Sequence, residues 1–219
     1  PLDLEVLVDT MNAVEQAHIP LVTTIGDSPT YGGVLVSGDE RLIGLEAGRA
    51  AGRIVLEELG GQARVVVLDF PDLDPLMRRA DAMIEGLHEF APDAEIVGRY
   101  LGATAENGRN SIARLINEGV AFDVVLSIND AGAYGAIDAL ADANYAPHSV
   151  IISSVDAESI ARQYIREGYF MRASVDVGRR DFAETAIHAM VKLLAGATMP
   201  EVYLVPPGRV VEAENVLSS

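Results

Sequence analysis

Apolar residues Leu4, Leu7, Val8, Met11 and Val14 recur at three- and four-residue intervals, the period of a helix with one buried face, and Ile19-Pro20 sets its limit. The apolar run over 19–24 reads as a buried strand, and a turn-rich stretch with Asp27, Ser28, Pro29 and Gly32-Gly33 follows it. From residue 42 onward two periods alternate. Helices are predicted over 42–59, 74–90, 106–118, 131–143, 158–167 and 180–195, and strands over 64–68, 95–100, 124–127, 150–155 and 171–175. The runs Val65-Val66-Val67-Leu68 and Val124-Val125-Leu126 show no polar alternation, as expected of parallel strands covered on both faces. Strand and helix in strict turn predict an α/β fold with a parallel sheet between helices. Residues 200–219, with Pro206-Pro207-Gly208 and a polar end, read as an extended strap.

Polar groups stand at two strand ends. Asn129-Asp130 follow the strand at 124–127 and lead into the small-residue helix that starts at Ala131, and Asp156 closes the strand at 150–155. In an open α/β sheet, ligands bind outside these carboxyl ends.

Composition removes several alternatives. With 219 residues, 49% of them hydrophobic, the chain holds enough apolar material for one large domain or two small lobes. Its 33 acidic against 16 basic residues, a net charge of -17, exclude a broad phosphate-binding surface, so no nucleic-acid contact is expected. No stretch reaches the ~18 apolar residues of a membrane span. Pro1 opens directly onto a helical pattern, and the sequence is expected to be a piece of a longer protein. Zero cysteines exclude disulfides and thiol chemistry, and His18, His88, His148 and His188 are too scattered for a metal site. Neither a phosphate-cradling glycine loop nor a nucleophile elbow is present, so no cofactor is expected.

The order of elements and the residues at their ends resemble the type 1 periplasmic binding proteins, the ribose-binding-protein class, together with the sensor domains of lactose-repressor-type regulators. The marks are Ile19-Pro20-Leu21-Val22, Ser37-Gly38-Asp39 with Gly44 and Gly48, Arg79 with Ala82, Met83 and Leu87, Asn129-Asp130 with Ala133 and Gly135-Ala136, Asp156, Ile165-Arg166-Glu167-Gly168 before Ala173-Ser174-Val175, and Leu193-Leu194-Ala195-Gly196. The resemblance implies two Rossmann-like lobes with parallel sheets, joined by three crossings and closing on a small ligand as a hinge. Residues 1–38 and 176–202 would form a remnant of the amino-terminal lobe, lacking its first βα units. Residues 39–175 and 203–219 would form the carboxy-terminal lobe with its strap. An incomplete sheet exposes an edge, so association with a second copy of the chain is expected.

By the same resemblance, Arg79 offers its fork of donors to ligand oxygens; the competing reading pairs it with Asp74 or Asp81 on a helix surface, with Arg78 as the inward residue. Asn129, both donor and acceptor, suits neighbouring hydroxyls, leaving Asp130 to cap the helix. Asp156 is an acceptor for ligand hydroxyls, or else the cap of the helix at 158. Asp176 stands at the second crossing and either faces the ligand or ends a strand. Asp27 replaces the family's first-lobe carboxylate, whose own position holds Ile25. The aromatic position falls near Ala103, and with no Trp in the chain Tyr100 is the nearest stacking plate.

These residues predict a binding module for a sugar or polyol, working with a membrane permease or a signalling partner, extracytoplasmic in preference to cytoplasmic, and not an enzyme. The tail over 210–216 resembles a transport receptor more than a repressor. Two alternatives stand beside it: a regulatory or dimerisation domain that no longer binds a sugar, and a hydrolase-like enzyme on a doubly wound fold.

Overall fold

Strand and helix alternate through residues 8–24 and 33–217, the residues described by the computed structural model. The chain opens with α1 (Val8–Gln16), β1 (Val22–Thr23) and β2 (Val34–Gly38), then α2 (Glu40–Leu59), β3 (Arg64–Asp69), α3 (Asp74–Phe90) and β4 (Glu95–Leu101). It continues through α4 (Ala105–Asn117), β5 (Val124–Ser127), α5 (Asp130–Asp142), β6 (Ile151–Val155), α6 (Ser159–Glu167) and β7 (Met171–Val175). Helix α7 (Arg179–Leu194) and strands β8 (Val202–Val205) and β9 (Val210–Glu212) complete it. Contacts divide the chain into one unit of Pro1–Asp39 with Gly178–Pro206 and another of Glu40–Val177 with Pro207–Ser219.

The larger unit holds a six-stranded sheet in the order β4-β3-β5-β6-β7-β9, parallel throughout except for β9, which runs antiparallel to β7. Both sheet faces are covered, which is why its central strands are apolar without interruption. Val66, Leu68 and Val125 point into one core with Ile112 and Leu115 of α4, Ile137 and Leu140 of α5 and Ile165 of α6. Val65, Val67, Val124 and Leu126 point into the other, with Ile43 and Val55 of α2 and Met83 and Leu87 of α3.

The smaller unit has a three-stranded parallel sheet, β1-β2-β8. Val34, Val36 and Val205 pack there with Ala189 of α7 and, at the margin, Phe182, Ala186 and Leu193. A lateral stripe of the same helix, Ile187, Val191 and Leu194, is exposed, as are Val202, Tyr203 and Leu204 of β8.

Most predicted elements are present within one or two residues of their expected bounds, and three differences matter. Strand β2 occupies residues left without an element, because a five-residue strand after a glycine pair has too short a pattern to register. The 19–24 strand contracts to Val22–Thr23. The tail forms β8 and β9, so residues 203–206 lie with the smaller unit and not with the larger.

Backbone contact sets the geometry of the larger unit. A Cβ added to Gly48 of α2 would lie 2.0 Å from the Met83 carbonyl oxygen of α3, and one added to Gly86 would lie 2.3 Å from the Leu45 carbonyl oxygen. The two helices therefore touch main chain to main chain, with no room for a methyl group. Gly48→Ala is expected to cost about 3 kcal/mol through forced separation of the pair. Thermal melting of the variant should fall by about 6–12 °C, and an unchanged melting point would refute the close packing.

Candidate functional site

The strand order reverses between β3 and β5, because the chain goes from β3 outward to β4 and then returns across it. At such a switch point the loops diverge and leave a crevice beyond the strand ends. Asp69 ends β3 on one side and Ser127-Ile128-Asn129 leaves β5 on the other, while Asp156 and Asp176 follow β6 and β7 in the adjacent positions. Parallel strands lie about 4.8 Å apart, so the structure brings Asn129, Asp156 and Asp176 to one edge in a row.

Asn129 leaves the strand in extended conformation, and its Oδ1 accepts from the Gly132 N–H at 2.9 Å, which makes Asn129 and not Asp130 the cap of α5. Its Nδ2 donates to the Ala103 carbonyl at 2.8 Å, across the switch point. One N–H and one acceptor lone pair remain for a ligand.

The expected cap, Asp130, is instead the first residue of α5 and wholly buried. Its carboxylate accepts from Ser154 Oγ, from Ser174 Oγ at 2.8 Å and from the Glu158 N–H at 2.8 Å. Burial pushes its pKa up to about 6, against the pull of these three donors, with the Asp156 charge adding to the rise.

Asp156 does not cap α6; Glu158 holds that position and uses no side-chain cap bond. Asp156 has φ of 115° and Ala157 φ of 48°, two consecutive non-glycine residues in left-handed backbone. Such strain persists only where surroundings over-determine it, and it gathers at functional edges. Here every residue of the turn is held: Asp156 N–H by the Val175 carbonyl at 2.8 Å, Ala157 N–H by Ser174 Oγ at 2.9 Å, and Glu158 N–H by Asp130.

Asp176 follows β7, its carboxylate accepting from Arg162 Nη2 at 2.8 Å, while its backbone pairs with Gly208 and Arg209 on the returning chain. Arg79 is the inward residue of its pair, 8% exposed where Arg78 is exposed. Its partner is neither Asp74 nor Asp81. Nε and Nη2 bind Glu40 at 2.6 and 2.5 Å, and Nη1 donates to the Ile128 carbonyl at 2.6 Å, so Arg79 is fastened to the start of α2 and the exit of β5. Two of its five N–H groups are left.

Tyr100 is half-buried on β4, with the Arg114 guanidinium 5.4 Å from its ring centre, and it lines a cavity of about 400 Å³ with Asp69, Met77 and Arg99. Asp27 lies outside the described residues. Among those described, no group of His, Asp or Glu is arranged to hold a metal ion, and no helix is long and apolar enough to cross a membrane.

Two residues of this edge escape sequence reasoning. Asp69 is 3% exposed and takes Arg99 at 2.5 and 2.8 Å and the Phe70 N–H at 2.6 Å. Its signal was available, since a carboxylate ends an otherwise apolar run. Arg162 had none, because an arginine in the first turns of a helix reads as surface.

A family model described as a periplasmic binding protein domain matches residues 1–198. The chain belongs to this family. It is the type 1 class expected from the strand-end marks, and the parallel sheets agree with it. No curated relative matches the sequence. Solved structures of the same fold include the periplasmic binding protein component of an arabinose ABC transporter from Shewanella sp. ANA-3, bound to L-arabinofuranose. That protein is 21% identical, with a TM-score of 0.79 over 97% of this chain and 71% of that one. A protein from Mycobacterium smegmatis in complex with β-D-fucofuranose is 22% identical, with a TM-score of 0.81 over 96% and 70%. An ABC transporter solute binding protein from Bacillus halodurans C-125, with bound myo-inositol, is 22% identical, with a TM-score of 0.79 over 100% and 74%.

Within this periplasmic binding domain, Asp130 makes a pH signature. Its native pKa lies above the unfolded value of about 4, so its protonation favours the folded state. That contribution is complete below about pH 4 and is lost as pH rises through 6, a span worth about 3 kcal/mol. Asp130→Asn is neutral throughout and, with its amide turned, retains partners in both serines and in Glu158. Its stability relative to the parent, measured by urea unfolding, should therefore fall by about 2.4 kcal/mol between pH 7 and pH 4. A pH-independent difference would show that Asp130 titrates as an ordinary carboxyl.

Proposed function

We propose that this chain is a solute receptor whose ligand is a sugar or polyol, held by hydroxyl contacts at the carboxyl edge of the six-stranded sheet and captured by hinge closure. The observation that carries this reading is the row of Asn129, Asp156 and Asp176 on adjacent strand ends, with Asp156 presented on a restrained left-handed turn. Ionised acceptors make the stronger hydrogen bonds to hydroxyls, and Asn129 supplies the mixed donor and acceptor that neighbouring hydroxyls need. Arg79 and Tyr100 border the edge, the first with two donors left and the second with one ring face already under Arg114. The arabinofuranose, fucofuranose and myo-inositol bound in the similar structures point to the same ligand class. Binding without chemistry, an extracytoplasmic setting, and recognition of the closed form by a membrane permease or a signalling partner complete the proposal.

The regulatory alternative draws on one observation: Arg79 and Asn129 already spend much of their bonding capacity on Glu40, Ile128, Gly132 and Ala103. A domain that had lost its ligand would hold them this way. The two readings part in a thermal-shift screen of the full-length protein that carries this chain, against L-arabinose, D-fucose, D-allose, allitol and myo-inositol. A ligand at a hundred times its Kd adds about 2.7 kcal/mol, so melting should rise by roughly 5–10 °C. Asp156→Ala should weaken that ligand roughly 10- to 150-fold, the worth of a charged hydrogen bond. No shift with any of the five would favour the regulatory reading.

The exposed edge of the three-stranded sheet at β8, with Val202, Tyr203 and Leu204, and the stripe Ile187, Val191 and Leu194 on α7 are where a second copy of the chain would associate. Sedimentation velocity of the 219-residue chain should show concentration-dependent association that Val191→Glu reverses; a monomer at the highest concentration would count against it.

A further inference from the structure

One residue that reaches two parts of the proposed binding edge has a sequence context that gives no sign of it. Arg162 lies in the second turn of α6, and its side chain folds back toward the strand ends instead of out to solvent. Nε donates to the Ala157 carbonyl at 2.8 Å, and Nη2 donates to the Asp176 carboxylate at 2.8 Å. One rigid guanidinium thus spans the turn after β6 and the exit of β7. Its Nη1 is buried with no hydrogen-bond partner, the one side-chain polar atom among the described residues of which this is true. A buried donor left unmatched costs free energy. The side chain carries that cost while its two other nitrogens hold partners on two different elements.

What they hold is strained and shared. Ala157 and Asp156 are both in left-handed backbone. From the sheet side, the Val175 carbonyl holds the Asp156 N–H and Ser174 Oγ the Ala157 N–H, while Asp130 holds the next amide, that of Glu158. Arg162 takes the Ala157 carbonyl. At Asp176 the same guanidinium fixes a carboxylate whose backbone N–H donates to the Arg209 carbonyl and whose carbonyl accepts from the Gly208 N–H at 2.8 Å, where the chain leaves and re-enters the larger unit. A point charge such as Lys would satisfy one of these partners and not the geometry of both.

We propose that Arg162 is a positioning residue of the binding site: its forked guanidinium holds Ala157 in left-handed backbone, and with it the aim of Asp156, while it sets the rotamer of Asp176, so that both carboxylates are arranged before ligand arrives. In its effect on affinity this rests on the sugar- or polyol-binding reading above; in its effect on the turn it does not.

The test uses the full-length protein that carries this chain, with Arg162→Met to remove the fork at similar length, Arg162→Lys to keep the charge, and Asp156→Ala and Asp176→Asn as references. Hydrogen exchange, with and without probe, reads the turn. Arg162→Met should speed exchange of the Ala157 and Glu158 amides at least tenfold, leave Val66 and Val125 in the core unchanged, and be only partly rescued by Arg162→Lys. Calorimetric titration with D-allose, L-arabinose and myo-inositol reads the site. For a probe that binds the parent protein, Arg162→Met should lower affinity at least 30-fold, and adding Asp176→Asn should lower it less than twofold further, because loss of Arg162 has already released the Asp176 carboxylate.

Unchanged exchange at Ala157 and Glu158 overturns the proposal whatever the probes do. Faster exchange with parent-like affinity also overturns it, by reducing Arg162 to a local brace. If no probe binds, or Asp156→Ala binds as the parent does, the binding reading is what fails, and exchange at the turn still decides whether Arg162 holds it.

Discussion

A carboxylate enclosed at the head of a central parallel strand must collect its hydrogen bonds from whatever lies beside it, because water cannot reach it. For Asp130 those partners are hydroxyls on the two neighbouring strands, Ser154 and Ser174, and the backbone of the loop at Glu158. The register that pairs Ser154 with Ser174 places both hydroxyls at one height, so the buried acid fastens the ends of β5, β6 and β7 to each other. Everything proposed for the binding edge depends on this fastening. Ser174 uses its oxygen a second time, accepting from the Ala157 N–H, and so passes the constraint on to the strained turn that carries Asp156.

The rest of the edge repeats this logic with charged forks. Arg79 joins α2, α3 and the exit of β5; Arg99 joins the end of β3 to Asp81 of α3; Arg162 joins the β6 turn to the exit of β7. In each case the planar cation spans two elements that the sheet alone would leave independent. Polar groups near the strand ends are therefore arranged in advance, and a ligand meeting them spends little of its interaction on ordering them.

The alternation of helix and strand was legible because long amphipathic and continuously apolar segments carry strong periodic signals, and the end of β5 announced itself through Asn129-Asp130 against a background of small and apolar residues. What the pattern could not assign was the division of labour within that pair. Either residue can cap a helix by its type, and only the depth of Asp130 and the position of the two serines decide that the aspartate is structural and the asparagine caps. Arg79 was correctly read as the inward arginine, but its partner Glu40 is thirty-nine residues away in sequence, beyond any local rule. Strand β2 and the tail strands β8 and β9 were missed for a different reason: each is short and takes its stability from a neighbour distant in sequence, β2 from β8 and β9 from β7.

The glycine seam between α2 and α3 has a consequence for how such a protein diversifies. At Gly48 and Gly86, where the two helix backbones meet, any side chain would collide with a carbonyl oxygen of the other helix, so substitution at those positions has nothing to tune; a lineage can only keep them or lose the contact. Variation is driven outward to the turns beyond the strands, which stand on the sheet that the two helices cover. A scaffold of this kind can change what it recognises one loop residue at a time while its frame stays fixed.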